Sequence, residues 1–453
     1  MQDYSRIDSY LERNLDASLQ ELSRLVAQPS ISAQAVGLSE CAELVRQMLE
    51  RRGFRAEVLS TAGAPVVFGE RKGKSPRTLL FYNHYDVQPP EPLELWETPP
   101  FEPTRRDGKL FGRGVSDDKG HLAARLHAID AILEAQTELP CNIKFVVEGE
   151  EETASLHLHE FVTAHADQLR ADACIWEFGG VDHRDVPMQY LGLRGICYVE
   201  LSVEALSTDV HSGLGGSIFP NAAWRLTWAL ATLKGPDERI RVPGFYEHVR
   251  APTVADREWM VRLPDMADEY RTRYGVKAFI KGLTGGTELK MEEVFSPTCT
   301  ICGLTSGYQG AGPKTVQPAR ASAKVDFRLV PEQDPDDILG KLRKHLDAEG
   351  FSDVAIDPLG GERAARTDPD HPFVRLVVET ARGVYGVPME IVPMVGGTGP
   401  IYPFVHDLGL PVATAGLGHP DTRAHAPNEN IRLDLYLKHA RHMARVIDAF
   451  AAG

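Results

Sequence analysis

Cysteine is scarce in this chain, with six residues in 453. A disulfide framework is therefore not expected, and a reducing compartment is the better fit. Cys299 and Cys302 have the spacing of half a zinc ribbon or of a redox pair. The sequence contains no second pair of this kind, and the apolar and β-branched neighbours favour a strand at this position.

Positive charge and long apolar runs are also in short supply. Lysine and arginine number 49 against 64 acidic residues, so the formal net charge is -15. This balance argues against nucleic acid and anionic membrane as main partners. No run of about 18 apolar residues predicts a transmembrane helix. Acidic residues interrupt the amphipathic segment Met1–Ser32, which predicts a helix and not a signal peptide. We therefore expect a cytoplasmic protein.

The chain shows no internal repeat and no low-complexity linker, and its length predicts more than one domain. Strand-like runs alternate with helical patterns up to about residue 190 and again from about residue 369. This alternation predicts an α/β domain with a mixed, mostly parallel sheet, formed by residues 1–190 and 369–453. Residues 191–368 predict an inserted α+β domain whose sheet is half exposed.

An unusual stretch of carboxylates follows the predicted strand Ile143–Val147. Four glutamates lie within Glu148–Glu152, where they repel one another unless a cation or protons share the site. The alternative is a solvated acidic turn. Other ligand-type residues follow other predicted strands, and ligands bind beyond the carboxyl ends of parallel strands. The residues expected to gather there are His84, Asp117, Glu151, Glu152 and Glu177.

Several motifs carry a family resemblance. They are His-Tyr-Asp-Val-Gln-Pro at 84–89, Gly-Arg-Gly-Val-Ser-Asp-Asp-Lys-Gly at 112–120, Glu-Glu-Glu at 150–152 and Arg-Ala-His-Ala-Pro-Asn-Glu at 423–429. In this order they resemble the M20 metallopeptidase family, and most closely its branch of cytosolic nonspecific dipeptidases and carnosinases. The resemblance implies a zinc-peptidase-like catalytic domain, an inserted lid and dimerisation domain, and a homodimer.

The resemblance also implies two Zn²⁺ per subunit, with Mn²⁺ or Co²⁺ as alternative ions, and a set of ligands. Asp117 resembles the carboxylate that bridges both metals, and the remaining ligands would be His84, Glu152, Glu177 and His425. Imidazole and carboxylate groups suit Zn²⁺, and three carboxylates offset much of the charge of two cations. His419 lies near the last motif, but the Ala-His-Ala-Pro-Asn-Glu context favours His425.

Two further acidic residues match roles beside the metals. Asp86 matches the residue that orients His84 by accepting its second ring N–H, which sets the tautomer. Glu151 matches the general base, which would take a proton from water and deliver it to the leaving amine. The family also has a cis peptide after the bridging aspartate, here between Asp117 and Asp118. Asp118 itself is expected to be structural or to contact the ligands.

Substrate contacts are expected from the inserted domain. His211 resembles a histidine that reaches into the partner subunit's site and stabilises the oxyanion, a charge that needs a preplaced donor. The alternative is a surface histidine before a glycine turn. Arg328 resembles the group that binds a substrate carboxylate in bidentate fashion. Its alternative role is an ion pair at a sheet edge.

Two threonines complete the expected substrate site. Thr315 lies in the segment Lys314–Val316, which resembles a dipeptidase substrate-binding segment. Thr398 follows Gly396 and Gly397, which resemble the glycine turn of the family. A phosphate cradle is the alternative for this turn, but no strand, glycine loop and Lys-Ser/Thr pattern accompanies it.

Together these features predict a metallopeptidase that hydrolyses dipeptides or similar small peptides with a free carboxylate. One departure leaves an alternative open. The dipeptidase branch usually has aspartate where this chain has Glu177, and glutamate is commoner in the deacylases and carboxypeptidases of the family. An N-acyl amino acid deacylase or carboxypeptidase is therefore the second hypothesis. A noncatalytic protein that binds metal or peptide on the same fold is the third.

Overall fold

The structure is a computed structural model that describes residues 3–453. The helices are α1 Ser5–Arg13, α2 Leu15–Ala27, α3 Leu38–Glu50, α4 Lys119–Gln136, α5 Leu158–Ala164, α6 Ala166–Leu169, α7 Ser212–Gly215, α8 Ala222–Leu233, α9 Val254–Arg262, α10 Ala267–Tyr274, α11 Gly286–Phe295, α12 Pro335–Ala348, α13 Pro372–Tyr385 and α14 Leu433–Ala452.

The strands begin with β1 Arg55–Leu59, β2 Val66–Arg71, β3 Ser75–His84, β4 Thr104–Arg106, β5 Lys109–Phe111, β6 Cys141–Glu148, β7 Ala173–Trp176, β8 Gly180–Val181, β9 Pro187–Tyr190 and β10 Gly192–Leu193. They continue with β11 Gly195–Glu204, β12 Val210–His211, β13 Thr300–Ser306, β14 Val316–Gln317, β15 Arg320–Leu329, β16 Ala355–Glu362, β17 Ala365–Arg366, β18 Glu390–Val392, β19 Val412–Thr414 and β20 Asn430–Arg432.

The chain forms two compact units. The first contains the chain up to Gly192 together with Arg366–Pro393 and Pro400–Gly453, and the second contains Leu193–Ala365 and Met394–Gly399. The first unit is built on a sheet with the strand order β1-β2-β6-β3-β7-β19. The pairs β6–β3, β3–β7 and β7–β19 are parallel, whereas β1 and β2 add an antiparallel edge. This mixed, mostly parallel sheet confirms the predicted α/β class.

The central strands of this sheet are buried because their side chains are apolar on both faces, as expected for parallel strands covered by helices. Phe81 of β3 lies in register with Phe145 of β6 and Ile175 of β7. These side chains share one core with residues of α4 and α14, among them Leu126 and Ile447. The core therefore holds the ends of β3, β6 and β7 at fixed positions.

The amphipathic segment at the start forms two helices where the sequence predicted one. Met1 and Gln2, the first residues of that prediction, lie outside the described residues. Helix α1 ends at Arg13, and the side-chain amide of the next residue, Asn14, donates to the Tyr10 carbonyl at 3.0 Å. Helix α1 places Leu11 in the main core, whereas α2 contributes Leu25 to that core and Leu22 to a separate one. Periodicity alone does not reveal the break between the two helices.

The second unit contains an antiparallel sheet with the order β13-β15-β11-β16. Strand β11 alternates buried and partly exposed residues along its length. Its buried side chains, such as Val199 and Leu201, pack with Leu226 of α8 and Leu342 of α12. One face of the sheet is thus covered by helices, as the sequence predicted.

Two expectations from composition can be compared directly with the structure. All six cysteines lie within residues 3–453, and all are free thiols. Strand β13 begins at Thr300, directly after Cys299, which agrees with a strand at the Cys-x-x-Cys segment. Within residues 3–453, no helix has the length and apolar character needed to cross a membrane.

Candidate metal centre

The candidate ligands lie at one edge of the sheet in the first unit. His84 is the last residue of β3, and it lies in register with Glu148, the last residue of β6. Glu177 follows the end of β7. Because β6, β3 and β7 are parallel neighbours, their carboxyl ends meet at the same edge. A single 3₁₀ turn, Glu151–Thr153, follows β6 and carries the adjacent glutamates.

His84 is fully buried among carboxylates. Its Nε2 lies 3.0 Å from Oδ1 of Asp117 and 3.9 Å from Oε2 of Glu177. Burial by itself would lower the pKa of His84, but the contacts with Asp117 and Asp86 and the nearby glutamates raise this pKa well above its ordinary value. The imidazole therefore lies in a strongly negative environment.

The second oxygen of Asp117 faces a different group. Oδ2 lies 2.9 Å from Nε2 of His425, and the same nitrogen lies 3.0 Å from Oε2 of Glu152. The hydrogen bonds with Asp117 and Glu152 raise the pKa of His425 to about 10. Burial would raise the pKa of Asp117, but its hydrogen bonds with His425 and His84 lower it. Asp117 thus stands between two histidine–carboxylate groups.

Two clusters of possible ligand atoms result from this arrangement. One contains His84, Asp118 and Glu177, and the other contains Asp117, Glu152 and His425, with the ligand atoms of each cluster within 4.8 Å of one another. Asp118 also accepts hydrogen bonds through Oδ2 from the Asn83 side chain at 2.5 Å and from the His84 backbone N–H at 3.2 Å. The peptide bond between Asp117 and Asp118 is cis, as the resemblance implied.

The donor set fits divalent metal ions. Oε2 of Glu177 is buried and, among the described residues, has no hydrogen-bond partner. Burial, together with the nearby Glu151, raises the pKa of Glu177 well above its ordinary value. Burial likewise raises the pKa of Glu151, with further increases from Asp117, Glu152 and Asp86. Bound cations would favour the charged forms of these carboxylates, which burial first and mutual repulsion second disfavour.

Asp86 has a wider role than the sequence predicted. The Nδ1 atom of His84 lies 3.0 Å from the Asp86 backbone oxygen and 3.3 Å from its carboxylate Oδ1. The carboxylate also accepts the backbone N–H groups of Glu151 at 3.2 Å and of Glu152 at 3.0 Å. One aspartate therefore contacts His84 and holds the turn that carries both glutamates.

Arg125 is a buried residue of the site that sequence reasoning missed. Its Nη1 donates to the Tyr82 carbonyl and to Oδ1 of Asn83, each at 2.8 Å, and its Nη2 donates to the Glu177 carbonyl at 3.0 Å. Burial lowers the pKa of Arg125 to about 10. The guanidinium joins the ends of β3 and β7, just where His84 and Glu177 project. A lone arginine on a predicted helix provides no signal for this role.

The substrate-binding candidates form two pairs in the second unit. Thr315 lies next to His211, with its Oγ1 3.3 Å from Nε2 of the imidazole. Arg328 donates from Nη1 to Oγ1 of Thr398 at 2.6 Å, and its Nε donates to Asp326 at 3.3 Å. The two residues of each pair are far apart in the chain, by 104 positions for His211 and Thr315 and by 70 positions for Arg328 and Thr398.

His419 lies within the loop that precedes the last candidate ligand. Its Nε2 lies 3.1 Å from Oδ1 of Asn430, and its Nδ1 accepts the Asp421 backbone N–H at 3.2 Å. The partners of the two ring nitrogens thus lie at the start of β20 and in the loop itself. His425, in contrast, lies against the carboxylates of Asp117 and Glu152.

Comparison with known proteins identifies the family. The profile of Peptidase family M20/M25/M40 matches residues 80–449, which include all the candidate ligands. The chain belongs to this family. As an M20 peptidase it is a hydrolase that acts on peptide bonds, and the resemblance stated from its motifs is confirmed.

Individual relatives of this M20 peptidase match over nearly their whole length. Cys-Gly metallodipeptidase dug1 of Schizosaccharomyces pombe is 28% identical over 451 residues, which cover 94% of each chain. Beta-Ala-His dipeptidase of Rattus norvegicus is 28% identical over 477 residues, covering 97% of this chain and 94% of the relative. The structure of the M20 family metallo-carboxypeptidase Sso-CP2 from Sulfolobus solfataricus has a TM-score of 0.91 at 35% identity, covering 96% of this chain and 99% of that one.

Proposed function

We propose that this M20 peptidase is a dinuclear zinc dipeptidase, in which Glu151 is the general base. The observation that carries the proposal is the position of Asp117 between two groups. Its Oδ1 contacts His84 at 3.0 Å, and its Oδ2 contacts His425 at 2.9 Å. A carboxylate with one oxygen directed to each of two ligand groups is suited to bridge a pair of cations.

The five protein ligands divide between two metal positions. His84 and Glu177 would hold one ion, His425 and Glu152 would hold the other, and Asp117 would contact both. Bound Zn²⁺ ions would polarise the scissile carbonyl and make water more acidic. Mn²⁺ or Co²⁺ would suit the same oxygen and nitrogen donors.

Glu151 is the carboxylate of the turn that remains for proton transfer. We assign it the proton of the attacking water, which it later delivers to the leaving amine. Its place beside the ligand Glu152 on the turn after β6 suits this role, because a general base must lie within reach of the water that it deprotonates. Asp86 keeps the base in place, since it accepts the Glu151 backbone N–H at 3.2 Å.

The second unit would bind the ends of the substrate. Arg328 would bind the free carboxylate, and its contact with Thr398 at 2.6 Å orients the guanidinium. His211 would donate to the developing oxyanion, with Thr315 beside its ring. In the M20 resemblance this histidine acts in the partner subunit's site, so the proposal includes a homodimer.

An exposed apolar surface supports the homodimer. Trp224 and Trp228 of α8 are 59% and 53% exposed, and their rings stack with centroids 5.8 Å apart. Leu214 and Ile218 are also exposed nearby in the sequence. Clustered aromatic side chains are typical of residues that a partner covers. A second copy of the chain is the proposed partner.

The net charge of -15 supports neither nucleic acid nor anionic membrane as a partner. A cytoplasmic location remains part of the proposal.

Two substrate classes compete within this proposal. The relatives named as dipeptidases favour dipeptides. Glu177 and the likeness to a metallo-carboxypeptidase favour release of a C-terminal residue from longer peptides, and Glu177 also allows deacylation of N-acyl amino acids. In all three cases the scissile amide lies next to a free carboxylate, which is the group that Arg328 would bind.

A substrate panel separates these classes. Purified protein loaded with Zn²⁺ or Mn²⁺ would be assayed on dipeptides, on tripeptides blocked at the amino end and on N-acetyl amino acids. We expect the highest kcat/KM with dipeptides. Preferential turnover of N-acetyl amino acids or of blocked tripeptides would replace the dipeptidase assignment. Metal and peptide binding without turnover of any substrate would instead support a noncatalytic binding protein.

A further inference from the structure

Glu429 is a fully buried carboxylate that lies just outside the candidate ligands. Its Oε1 accepts the backbone N–H groups of Ser116 at 2.9 Å and Asp117 at 3.1 Å. Its Oε2 accepts the backbone N–H of Gly114 at 2.9 Å and Nη1 of Arg113 at 2.8 Å. The carboxylate therefore holds the loop that carries Asp117 through four hydrogen bonds.

The backbone of Glu429 is anchored independently of its side chain. Strand β20 starts at the next residue, Asn430, which pairs with Phe111 of β5. The carbonyl of Glu429 extends this ladder because it accepts the Gly112 backbone N–H at 3.0 Å. The carboxylate thus reaches the Asp117 loop from a backbone that β5 already holds in register.

The same short segment carries His425, four residues before Glu429. Between them, Asn428 accepts the Glu97 backbone N–H at 2.8 Å and donates to the Leu95 carbonyl at 2.9 Å. Thr422, three residues before His425, donates to Oγ of Ser116 at 2.7 Å, and Ser116 directly precedes Asp117. The contact of Thr422 and the four contacts of Glu429 therefore join the segment around His425 to the loop around Asp117, while Asn428 holds the segment from another side.

An ion pair with Arg113 does not by itself explain this arrangement. Burying an ion pair is costly, and many buried pairs add little to stability. Here three backbone N–H groups converge on the carboxylate as well, and one belongs to Asp117 itself. Such a contact limits the orientation from which the Asp117 side chain projects, as groups that hold metal ligands commonly do.

We infer that Glu429 is a positioning residue that holds Asp117 at a set distance from His425. It thereby determines how tightly the metal position formed by Asp117, Glu152 and His425 binds its ion. The inference rests on the proposed function, since it takes Asp117 and His425 as ligands. It adds a residue that acts on the site through the backbone of the loop that carries Asp117.

The test is metal affinity, measured without turnover. Wild-type protein and Glu429→Gln would be stripped of metal and titrated with Zn²⁺ against a chromophoric chelator, and the visible spectrum of the Co²⁺ forms would be recorded. In the variant an amide NH₂ replaces one acceptor oxygen and opposes the donors around it. We expect an affinity loss of roughly 10- to 100-fold at one or both positions, with a changed Co²⁺ spectrum.

A matched control is available in the same unit. Glu21 of α2 also pairs with a buried arginine, Arg52, at 2.6 Å, but it lies outside the candidate site. Glu21→Gln should lower the melting temperature and leave Zn²⁺ affinity and the Co²⁺ spectrum unchanged. If Glu429→Gln behaves in the same way, Glu429 is only structural and the inference is wrong.

A second variant decides the outcome if Glu429→Gln does not fold. Glu429→Asp keeps the charge for Arg113 but is one methylene shorter, so it cannot reach all four donors. We expect the same direction of change, and wild-type affinity in this variant would overturn the inference. The wild-type titration separates the two proposals: if it binds no pair of metal ions, the proposed function fails, whereas normal wild-type binding with unchanged variants removes only the role of Glu429.

Discussion

The carboxylate of Asp86 accepts the backbone N–H of Glu152 at 3.0 Å, although 66 positions separate the two residues. This contact ties the segment after β3 to the turn after β6. Asp86 also accepts the backbone N–H of Glu151, so one carboxylate holds both neighbouring glutamates of the turn. With the turn held, Glu152 meets His425, and Glu151 remains for chemistry in the proposed mechanism.

The general base can be tested by removing one carboxylate. Glu151→Gln preserves size and hydrogen bonding, so the protein should fold and bind metal while kcat falls by roughly 10²- to 10⁴-fold. The neighbouring Glu150 provides a matched control, because its carboxylate instead contacts Nδ1 of His157 at 2.8 Å. Glu150→Gln should retain most of its activity. Unchanged turnover in a clean preparation of Glu151→Gln would contradict the catalytic assignment.

Removal of metal should abolish activity and lower stability together. We expect elemental analysis to find two divalent ions per chain, and a chelator to abolish turnover until Zn²⁺, Mn²⁺ or Co²⁺ is returned. At a free metal concentration 100 times the Kd, each bound ion stabilises the folded state by about 2.7 kcal/mol. Thermal melting with and without metal measures this change.

The ligand assignment has its own control. His425→Ala should reduce the metal content, whereas replacement of the exposed His183 by alanine should not. Full metal content in His425→Ala would remove this residue from the ligand set. A wild-type protein with a single ion would contradict the dinuclear centre.

Recognition of the substrate carboxylate depends on Arg328 in this proposal. Arg328→Lys keeps the charge but loses the planar pair of donors, so KM for dipeptides should rise by roughly 10- to 100-fold. The change in kcat should be smaller. Dipeptide amides, which lack the carboxylate, serve as the comparison: wild type and variant should treat them alike. Equal losses on acids and amides would instead indicate that Arg328 is structural.

The proposed homodimer would bury the exposed tryptophans of α8. The double variant Trp224→Glu, Trp228→Glu should sediment as a monomer because it buries charge at the proposed interface. It should still bind metal yet lose turnover, since His211 would no longer reach a partner. Val261→Glu, which alters an exposed apolar residue of α9, is the control and should remain dimeric. A monomeric, active wild type would refute this part of the proposal.

A further prediction concerns the stability of the protein at acidic pH and a residue outside the candidate metal centre. Burial lowers the pKa of His442 to about 4 from its ordinary value of 6.5, and its Nε2 lies 2.9 Å from the Val377 carbonyl. Between these pH values the unfolded chain binds a proton at this position and the folded chain does not. The free energy of unfolding therefore falls as the pH drops from 6.5 towards 4, by at most about 1.4 kcal/mol per pH unit from this residue.

Replacement of the histidine tests that account. His442→Gln keeps a donor for the Val377 carbonyl, so urea unfolding between pH 4.5 and 7.5 should show a shallower dependence on pH than wild type. His248→Gln, at an exposed position, should leave the dependence nearly unchanged. An identical slope in His442→Gln and wild type would mean that this residue is not responsible.

Short sequence motifs carried most of the information about the candidate site. His84, Asp117, the glutamates at 150–152 and His425 lie in motifs long enough to identify the family, and apolar strands alternating with helices predicted the α/β class. These features can be recognised in the sequence because strand periodicity and motif spacing involve residues that are close together in the chain.

Only the tertiary structure decided how these groups are held. The double contact of Asp117, the two N–H groups on Asp86, the bridge made by Arg125 and the four donors on Glu429 all join segments distant in the chain. The division of α2 between the main core, through Leu25, and a second core, through Leu22, likewise appears only in the packed structure. The sequence alone determined which chemistry was present and roughly which elements carry it. Distances and orientations followed from packing, since a contact between remote segments leaves no periodic pattern in either of them.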